Sequence, residues 1–444
     1  MYAFQKKLTN GFYALLSLPA TATGFGLSVQ IATLSWIMST EYHLEIEQVG
    51  YVWLAGPLAG IIAQPLVGLI SDNVWFWKGR RRPFIWIGGI IAAAMLFLLP
   101  RIDIVASSMG FLGSIAEWLG VPEIMIVALF VALMLDLAIN VSFNPTRSII
   151  ADVTPDGDQR TKGYTVMQSI SNFFGLLAYL IGVVFGNHAL IYVGVALILV
   201  FTIIPPLFIK EPRYLDGSKS EEELAEEDDI EPELAETIAA HRTTNLPELL
   251  KLFVAHGFTW VGVQTMFVFL FAFAQYKLKQ DADSVSDTIN ISFLLMNGMA
   301  TIVPLAIFQP LSKRYNQINV HNWAIGTMAV SYLLLTVFGE NIYALYTLMA
   351  MVGIGWAATV TLPFPIMSEL VAKNRTGLYM GIFNLSVVIP QLLVTLFVGK
   401  YIEAAADKNI IFYICGAALT MSTLAWLLVK RSSIAGPTKL QTDS

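Results

Sequence analysis

Residues 56–90 read GPLAGIIAQPLVGLISDNVWFWKGRRRPFIWIGGI, in which a short basic loop separates two apolar runs. A helix needs about 20 mostly apolar residues to cross a bilayer, and each run supplies that length with its flanking residues. The loop carries Lys78 and three consecutive arginines at 80–82. Because short loops rich in Lys and Arg stay on the cytoplasmic side of a membrane, this stretch predicts two membrane helices joined by a cytoplasmic turn.

The whole chain has the composition of an integral membrane protein. Of its 444 residues, 56% are hydrophobic and only 13% are charged, whereas roughly 25% are charged in a typical soluble protein. We therefore predict an all-α integral membrane fold. Twelve apolar stretches are long enough to be transmembrane helices, at 12–40, 48–72, 83–100, 122–146, 163–186, 188–209, 252–276, 287–311, 322–338, 341–368, 376–400 and 408–430.

The basic residues predict how these helices are oriented. With the N-terminus in the cytoplasm, 21 of the 26 Lys and Arg residues fall in cytoplasmic segments and five fall outside. This bias follows the positive-inside rule. It favours an even number of spans, cytoplasmic placement of both termini, and insertion in the inner or plasma membrane of a cell.

An acidic segment between the sixth and seventh spans divides the chain into halves. Residues 211–236 hold twelve acidic and two basic residues, and such dense like charge is typical of a solvated segment. We predict an N-terminal six-helix bundle over 1–210, a cytoplasmic linker over 211–251 and a C-terminal six-helix bundle over 252–444. The linker is interpreted as a tether, with a regulatory or partner-binding loop as the alternative.

Short repeats relate the two halves. RTKGYTVMQSISN at 160–172 corresponds to RTGLYMGIFN at 375–384, and Gln-Pro-Leu occurs both at 64–66 and at 309–311. Two parallel repeats with a binding site at their interface are an architecture found in membrane transporters.

Several chemistries are not expected of this chain. Its single cysteine allows neither an intramolecular disulfide nor a Cys-rich metal site. Its five histidines contain no HExxH pattern, which argues against a zinc hydrolase. With no metal ligand set and no nucleophile–base pair, we expect no enzymatic activity, no metal, no cofactor and no nucleic-acid partner.

Asp136 is the most informative residue of the sequence. It lies about fourteen residues into the fourth predicted span, and no Lys or Arg occurs in the interior of any span. An ionisable group inside a membrane is costly, about 2.5–3.5 kcal/mol on the lenient insertion scale, and is a functional candidate by default. A carboxyl group removed from water favours its protonated form. We predict that Asp136 binds and releases a proton, with a protonated interhelical hydrogen bond as the structural alternative.

Other polar and aromatic residues of the predicted spans are candidates for a binding cavity. Asn140 lies one helical turn after Asp136, on the same face. A lone amide in a membrane helix can equally join two helices, and a Trp can belong to the interfacial belt. The remaining substrate-binding candidates are Gln30, Trp36, Gln168, Asn172, Trp260, Gln264, Asn384 and Gln391.

The basic loop after the second span is a candidate for a conformational latch on the cytoplasmic side. Gly68 allows close helix packing, and Asp72 can pair with the arginines that follow. Positive-inside anchoring alone explains the arginines, but it does not explain the Gly-x-x-Ser-Asp before them. The predicted latch residues are Gly68, Asp72, Gly79, Arg80, Arg81, Arg82, Arg147 and Asp152.

This loop resembles the signature of the major facilitator superfamily, G-x-x-[SA]-D-R-x-G-R-[RK]. It departs from that signature at Asn73, which replaces a basic residue, and in four extra residues before Gly79. The longer loop ending in GRRRPFI is similar to that of the sucrose transporter branch and its animal and bacterial relatives, the glycoside-pentoside-hexuronide:cation symporters among them. LDLAIN at 135–140 and NLSVVIPQ at 384–391 also resemble that branch.

The resemblance implies a fold of two six-helix bundles around a central cavity that opens alternately to either side. It also implies proton-coupled uptake of an α-glucoside disaccharide, maltose or sucrose, by a monomer in a lipid bilayer. In that family, the fourth-span aspartate matched by Asp136 binds the proton and a sugar hydroxyl. Sodium-coupled sugar transport, uncoupled sugar transport, and a membrane sensor acting through the acidic linker are the alternatives.

Overall fold

The computed structural model describes residues 7–61, 75–77, 79–154, 158–211, 245–371 and 376–430. The latch residues Gly68 and Asp72, the second part of the second span and linker residues 212–244 lie outside the described residues. The described part of the chain is helical apart from its turns and an isolated antiparallel bridge between Phe76 and Gly79. The all-α prediction therefore holds for this part.

The helices closely follow the spans predicted from the sequence. Span 2 begins with the helix Ile46–Val52 and is helical again at 55–61. Spans 7, 8 and 11 continue into the π-helical turns Phe273–Lys277, Pro304–Phe308 and Val394–Val398. In chain order, spans 1, 3, 4, 7, 8, 9, 10, 11 and 12 contain the helices Asn10–Thr40, Arg82–Leu98, Glu123–Val153, Leu246–Ala272, Ala282–Val303, Gln317–Phe338, Ile342–Thr361, Thr376–Leu393 and Ile410–Trp426.

Length and hydropathy alone identify fewer spans than twelve. Eight of the described helices are long and apolar enough to cross a membrane, or nine if a bent pair in span 8 is counted as one span. The number is lower because one long helix contains spans 5 and 6, and because span 2 leaves the described part of the chain. The span 12 helix has only 17 residues.

Spans 5 and 6 form one element, Asp158–Leu207, which is interrupted at Gly186. Gly186 has φ 80° and ψ 167°, a conformation that side-chain-bearing residues rarely adopt. An unbroken helix of 50 residues would be about 75 Å long, far more than the roughly 30 Å hydrocarbon core. The glycine thus divides the element into two spans at the boundary predicted from the sequence.

Two short helices connect spans 3 and 4, and the sequence analysis did not predict them. They are Ile102–Ser108 and Gly110–Leu119, and both pack against span 4. The second helix buries Leu112 and Ala116, while Trp118 on its other face is 83% exposed. Neither helix is long enough to cross a bilayer.

Polar caps fix where several spans begin. Thr9 accepts a hydrogen bond from the Phe12 N–H at the start of span 1, and Asp281 accepts one from the Ser284 N–H at the start of span 8. These side chains satisfy N–H groups that the first turn of a helix leaves without an intrahelical partner. Each cap thus lies at the residue just before the helix of its span begins.

The helices pack as two sets. Span 1 packs along the element of spans 5 and 6, and span 3 packs against span 4 and that same element. In the other half, span 7 packs against span 12, and span 10 packs against spans 8 and 9. The halves meet where the spans 5 and 6 element contacts span 8 and where span 2 contacts span 11.

The molecule has two ends along the direction of the spans. The linker side contains Arg81, Glu211 and Asn245, where span 3 begins, span 6 ends and span 7 begins. The far side contains Thr40, Glu47 and Lys277, where span 1 ends, span 2 begins and span 7 ends. Asp136 lies between the two ends.

Candidate functional site

A buried pair of side chains joins spans 1 and 4. Gln30 Nε2 donates a hydrogen bond to Asp136 Oδ2 across 2.9 Å. Both side chains are buried, with Gln30 3% exposed and Asp136 5% exposed. Asp136 therefore lies inside the N-terminal half as predicted, and an amide N–H is its partner there.

Two further residues lie close to Asp136. Asn140 lies one turn further along span 4, and its Nδ2 donates to the backbone oxygen of Asp136 across 2.8 Å. Gly56 of span 2 approaches from another side, since a Cβ built there would lie 3.8 Å from Asp136 Oδ2. Side chains or backbone from spans 1, 2 and 4 thus meet at one acid, which can accept a hydrogen bond in either protonation state and donate one when protonated.

Amide side chains also join helices of the C-terminal half. Gln391 Nε2 of span 11 donates to Gln264 Oε1 of span 7 across 3.2 Å. Gln264 is buried and Gln391 is half-buried. The structure thus brings these two predicted residues together as one hydrogen-bonded amide pair in the C-terminal half.

The predicted residues of span 5 form a second amide pair. Gln168 Nε2 donates to Asn172 Oδ1 across 2.8 Å, and both side chains are exposed. Asn384 of span 11 is half-buried. None of these three predicted residues is fully buried.

Trp260 belongs to an aromatic cluster that the sequence analysis only partly identified. Its Nε1 donates to His256 Nε2 across 3.0 Å. Its ring meets the ring of Trp356 edge to face, with centroids 6.1 Å apart. Trp356 Nε1 in turn donates to Asn297 Oδ1 across 3.2 Å. The cluster therefore connects spans 7, 8 and 10.

His256, Asn297 and Trp356 were missed as candidate functional residues. Each lies inside a stretch predicted to cross the membrane, and His256 is an ionisable residue there. Polar and ionisable residues in membrane spans are rare and mark functional positions. The presence of these residues in predicted spans can be read from the sequence. The contacts between helices that bring the three residues together cannot.

Trp36 lies at the far side, in a contact between the two halves. It is 4% exposed, and its Nε1 donates to the backbone oxygen of Ala282 across 2.7 Å. Next to it, Ser35 Oγ donates to the backbone oxygen of Val268 across 2.9 Å. The structure thus separates Trp36 from Asp136 and Gln30 and places it in the closure of the far side.

Further hydrogen bonds close the far side between spans 2 and 11 and between spans 5–6 and 8. The Glu47 N–H donates to Glu403 Oε2 across 2.8 Å. Asn290 Nδ2 donates to Asn187 Oδ1 across 2.8 Å. Gly182 packs directly on Asn290, because a Cβ built there would lie 2.3 Å from Asn290 Oδ1. Both halves therefore contribute polar groups to this closure.

The sequence matches the family described as the Major Facilitator Superfamily over residues 16–395. The chain belongs to the Major Facilitator Superfamily. The all-helical major facilitator fold, predicted from the sequence, is thereby confirmed.

Among curated members related to this chain are sucrose transport proteins of plants. One from Oryza sativa subsp. indica is 26% identical over 95% of this chain and 93% of its own length. One from Arabidopsis thaliana is 23% identical over 96% of this chain and 92% of its own length. The general alpha-glucoside permease of Schizosaccharomyces pombe is 31% identical over a shorter region, 31% of this chain and 24% of the permease.

Solved structures of other transporters share the superfamily fold. The nucleoside transporter NupG has a TM-score of 0.66 at 14% identity and covers 95% of this chain and 99% of its own. The xylose transporter XylE from E. coli, in an inward open conformation, has a TM-score of 0.65 at 13% identity and covers 96% and 97%. At these identities the likeness shows the fold alone.

The loop that resembles the superfamily signature is held by two acids on the linker side. Arg81 Nε lies 3.1 Å from Asp152 Oδ2 of span 4, and both side chains are buried. Glu211 accepts hydrogen bonds from three successive backbone N–H groups, those of residues 80, 81 and 82, at 2.7, 2.7 and 2.8 Å. Two of the predicted latch residues, Arg81 and Asp152, thus contact each other, and their contact lies within the N-terminal half.

Glu211 differs from what the sequence suggested. The sequence predicts Glu211 to be the first residue of a solvated linker, but it is 6% exposed and caps the start of span 3. Its charge is compensated by these three backbone N–H groups, which lie at the first residue of the helix and at the two residues before it. Arg147 is exposed and lies over the ring of Phe143, with Cζ 3.9 Å from the centroid.

Proposed function

We propose that this protein is a proton-coupled symporter that imports an α-glucoside disaccharide, maltose or sucrose, by alternating access. The observation that carries the proposal is the buried Asp136 carboxyl group, bonded to Gln30 in the middle of the spans. Full-length similarity to plant sucrose transport proteins supports a sugar as the substrate. The similarity to the general alpha-glucoside permease supports the α-glucoside class.

The proposed cycle uses the residues described above. Asp136 takes up a proton from outside, and the sugar binds against the neutral acid. Amide groups of the two halves bind sugar hydroxyls, the halves rock about the central site, and sugar and proton leave inside. Coupling requires that protonation and sugar binding favour one another in the same state.

We assign the linker side to the cytoplasm, in an inner or plasma membrane. The bias of basic residues toward that side supports the assignment. The hydrogen bonds at the far side then support an inward-facing state, closed to the exterior by Ser35, Trp36, Glu403 and Asn290. Residues 212–244 are proposed to be a tether between the halves.

Uptake into proteoliposomes tests this function. Labelled maltose and sucrose are offered with and without an inward proton gradient to the wild type, to Asp136→Asn, and to Asp103→Asn as a matched control. Asp103 is an exposed acid in the short helix Ile102–Ser108. We expect gradient-driven accumulation for the wild type and the control, and only equilibration of the sugar for Asp136→Asn.

Three results would change the assignment. Uptake that ignores protons and follows a sodium gradient would make sodium the coupling ion. Equilibration by the wild type under every gradient would make it a uniporter. If neither sugar entered, the proposed substrate class would be wrong and only the assignment of the fold would remain.

A further inference from the structure

The indole of Trp260 is held by a histidine from its own helix. Trp260 Nε1 donates to His256 Nε2 across 3.0 Å, one helical turn away. His256 is 2% exposed, and its ring stacks on Phe383 of span 11, with centroids 4.8 Å apart and planes inclined by 17°. The imidazole is therefore fixed on one side by stacking while it accepts the indole proton on another.

This arrangement determines the state of His256. A nitrogen that accepts a hydrogen bond carries no proton, so in the neutral ring the proton lies on Nδ1. Among the described residues, the buried Nδ1 atom has no hydrogen-bond partner. Burying an N–H group without a partner is costly. An apolar side chain at position 256 would avoid this cost. The interaction that such a side chain could not make is the hydrogen bond with Trp260.

A second indole stands at a right angle to the first. The ring planes of Trp260 and Trp356 are inclined by 84°. Trp356 Nε1 donates to Asn297 Oδ1, and Asn297 Nδ2 donates to the backbone oxygen of Phe293 across 2.9 Å. Each indole N–H thus donates to a polar side chain, and both rings are half-buried. The two indole rings therefore form two rigid aromatic walls, and the N–H group of each ring already has a hydrogen-bond acceptor.

We propose that Trp260 and Trp356 form an aromatic corner that takes the apolar face of a sugar ring, and that His256 and Asn297 are the positioning residues that fix its two walls. Ligand sites combine aromatic walls with a few placed polar groups. In the proposed site, Asp136 and the amides would supply the polar groups, while the aromatic corner lies in the C-terminal half. This inference rests on the proposed sugar transport and extends it to residues that do not touch the proton site.

Paired variants of His256 separate positioning from packing. His256→Phe keeps a ring that can stack on Phe383 but removes the acceptor, whereas His256→Gln keeps an acceptor near the position of Nε2. His321→Phe is the matched control, because His321 is another buried histidine of this half and packs on Trp426 instead, with centroids 4.2 Å apart.

The readout is the KM for sugar uptake, with the maximal rate normalised to the amount of protein in the membrane. We expect His256→Phe to raise KM about five- to tenfold, as loss of one hydrogen bond at the site would, with little change in maximal rate. His256→Gln restores KM to near the wild-type value, and His321→Phe leaves it unchanged. An unchanged KM in His256→Phe, or an equal rise in His321→Phe, would overturn the positioning role.

Intrinsic fluorescence provides a test that needs no sugar. His256→Phe removes the partner of the Trp260 N–H, so we expect a shift in tryptophan emission in the wild-type background and none in a Trp260→Phe background. Failure of the wild type to transport either sugar would reject the proposed function. The absence of the emission shift would reject the His256 contact, whichever sugar is carried.

Discussion

Gln30 Nε2 and Asp136 Oδ2 lie 2.9 Å apart and form a buried hydrogen bond between spans 1 and 4. An amide donor favours the charged form of a carboxyl group, whereas its removal from water favours the neutral form. The two effects oppose each other at this one acid. A group held between them can change its protonation state within a transport cycle.

Replacing Gln30 by Leu tests this balance. Without the amide donor the charged carboxylate loses a hydrogen bond, worth roughly 1.5–3 kcal/mol for a charged acceptor. We expect the external pH of half-maximal uptake to rise by roughly one unit or more, since one unit corresponds to about 1.4 kcal/mol. Initial uptake rates measured against external pH give the midpoint.

The control for Gln30→Leu is Gln391→Leu, which removes a similar amide donor from Gln264 in the other half. This variant should leave the pH midpoint in place, whatever it does to KM. If Gln30→Leu and the wild type share one midpoint, the hydrogen bond does not tune the proton site.

A Trp36→Phe variant distinguishes far-side closure from sugar binding. Phenylalanine keeps an aromatic ring beside His188, whose ring lies 5.4 Å from that of Trp36, but it cannot donate to Ala282. Losing one hydrogen bond of about 0.5–1.5 kcal/mol should shift the equilibrium toward an open far side about two- to tenfold. A cysteine introduced at the buried Thr33 reports this opening through faster labelling by an impermeant thiol reagent.

The native Cys415 is fully buried and gives little background in that assay. We expect KM for sugar to stay within about twofold in Trp36→Phe, as the donor lies outside the proposed site. A large rise in KM with unchanged labelling of Thr33→Cys would instead make Trp36 a substrate-binding residue.

Gly182 and Gly298 form a matched pair at the interface of spans 5 and 8. A Cβ at Gly182 would lie 2.3 Å from Asn290 Oδ1, whereas a Cβ at Gly298 would lie 3.9 Å from Leu176 Cδ2, an ordinary contact. We expect Gly182→Ala to displace Asn290 from Asn187 and to speed labelling of Thr33→Cys about two- to tenfold. Gly298→Ala should leave the labelling rate of Thr33→Cys unchanged. Equal labelling rates in the two variants would contradict this account.

Glu211→Gln tests the cap on span 3. A carboxylate accepts from three N–H groups at the start of this helix, while a glutamine offers one oxygen and turns an N–H₂ group toward the others. We expect a loss of roughly 1–3 kcal/mol in stability, seen as a melting midpoint a few degrees lower in detergent. Glu117→Gln, at an exposed position on a short helix, should melt like the wild type.

Sequence reasoning located the proton-site candidate because Asp136 is an isolated charge in an apolar span. It could not name Gln30 as the partner, since the period of one helix does not tell which other helix packs against it. The same limit applies to Trp356 and Asn297, which lie 59 residues apart and meet only through the packing of spans 8 and 10.

The error at Glu211 has a different cause. This residue opens a run of acids in the sequence, and composition alone assigns it to the solvated segment. Its actual role depends on three N–H groups about 130 residues earlier in the chain. Local charge density describes a segment on average, whereas a cap is a property of one side chain and the helix end that it meets.

The closure of the far side depends largely on main-chain atoms. Ser35 and Trp36 donate to the carbonyl groups of residues 268 and 282, and Glu403 accepts from the amide of residue 47. A carbonyl group is present whatever residue occupies a position, and an amide is absent only for proline. The side chains at positions 47, 268 and 282 can therefore differ between homologues without loss of these contacts. A change at one of these positions requires no compensating substitution at its partner. Covariation in aligned sequences would carry no trace of these three contacts, in contrast to the bond between the Asn187 and Asn290 side chains.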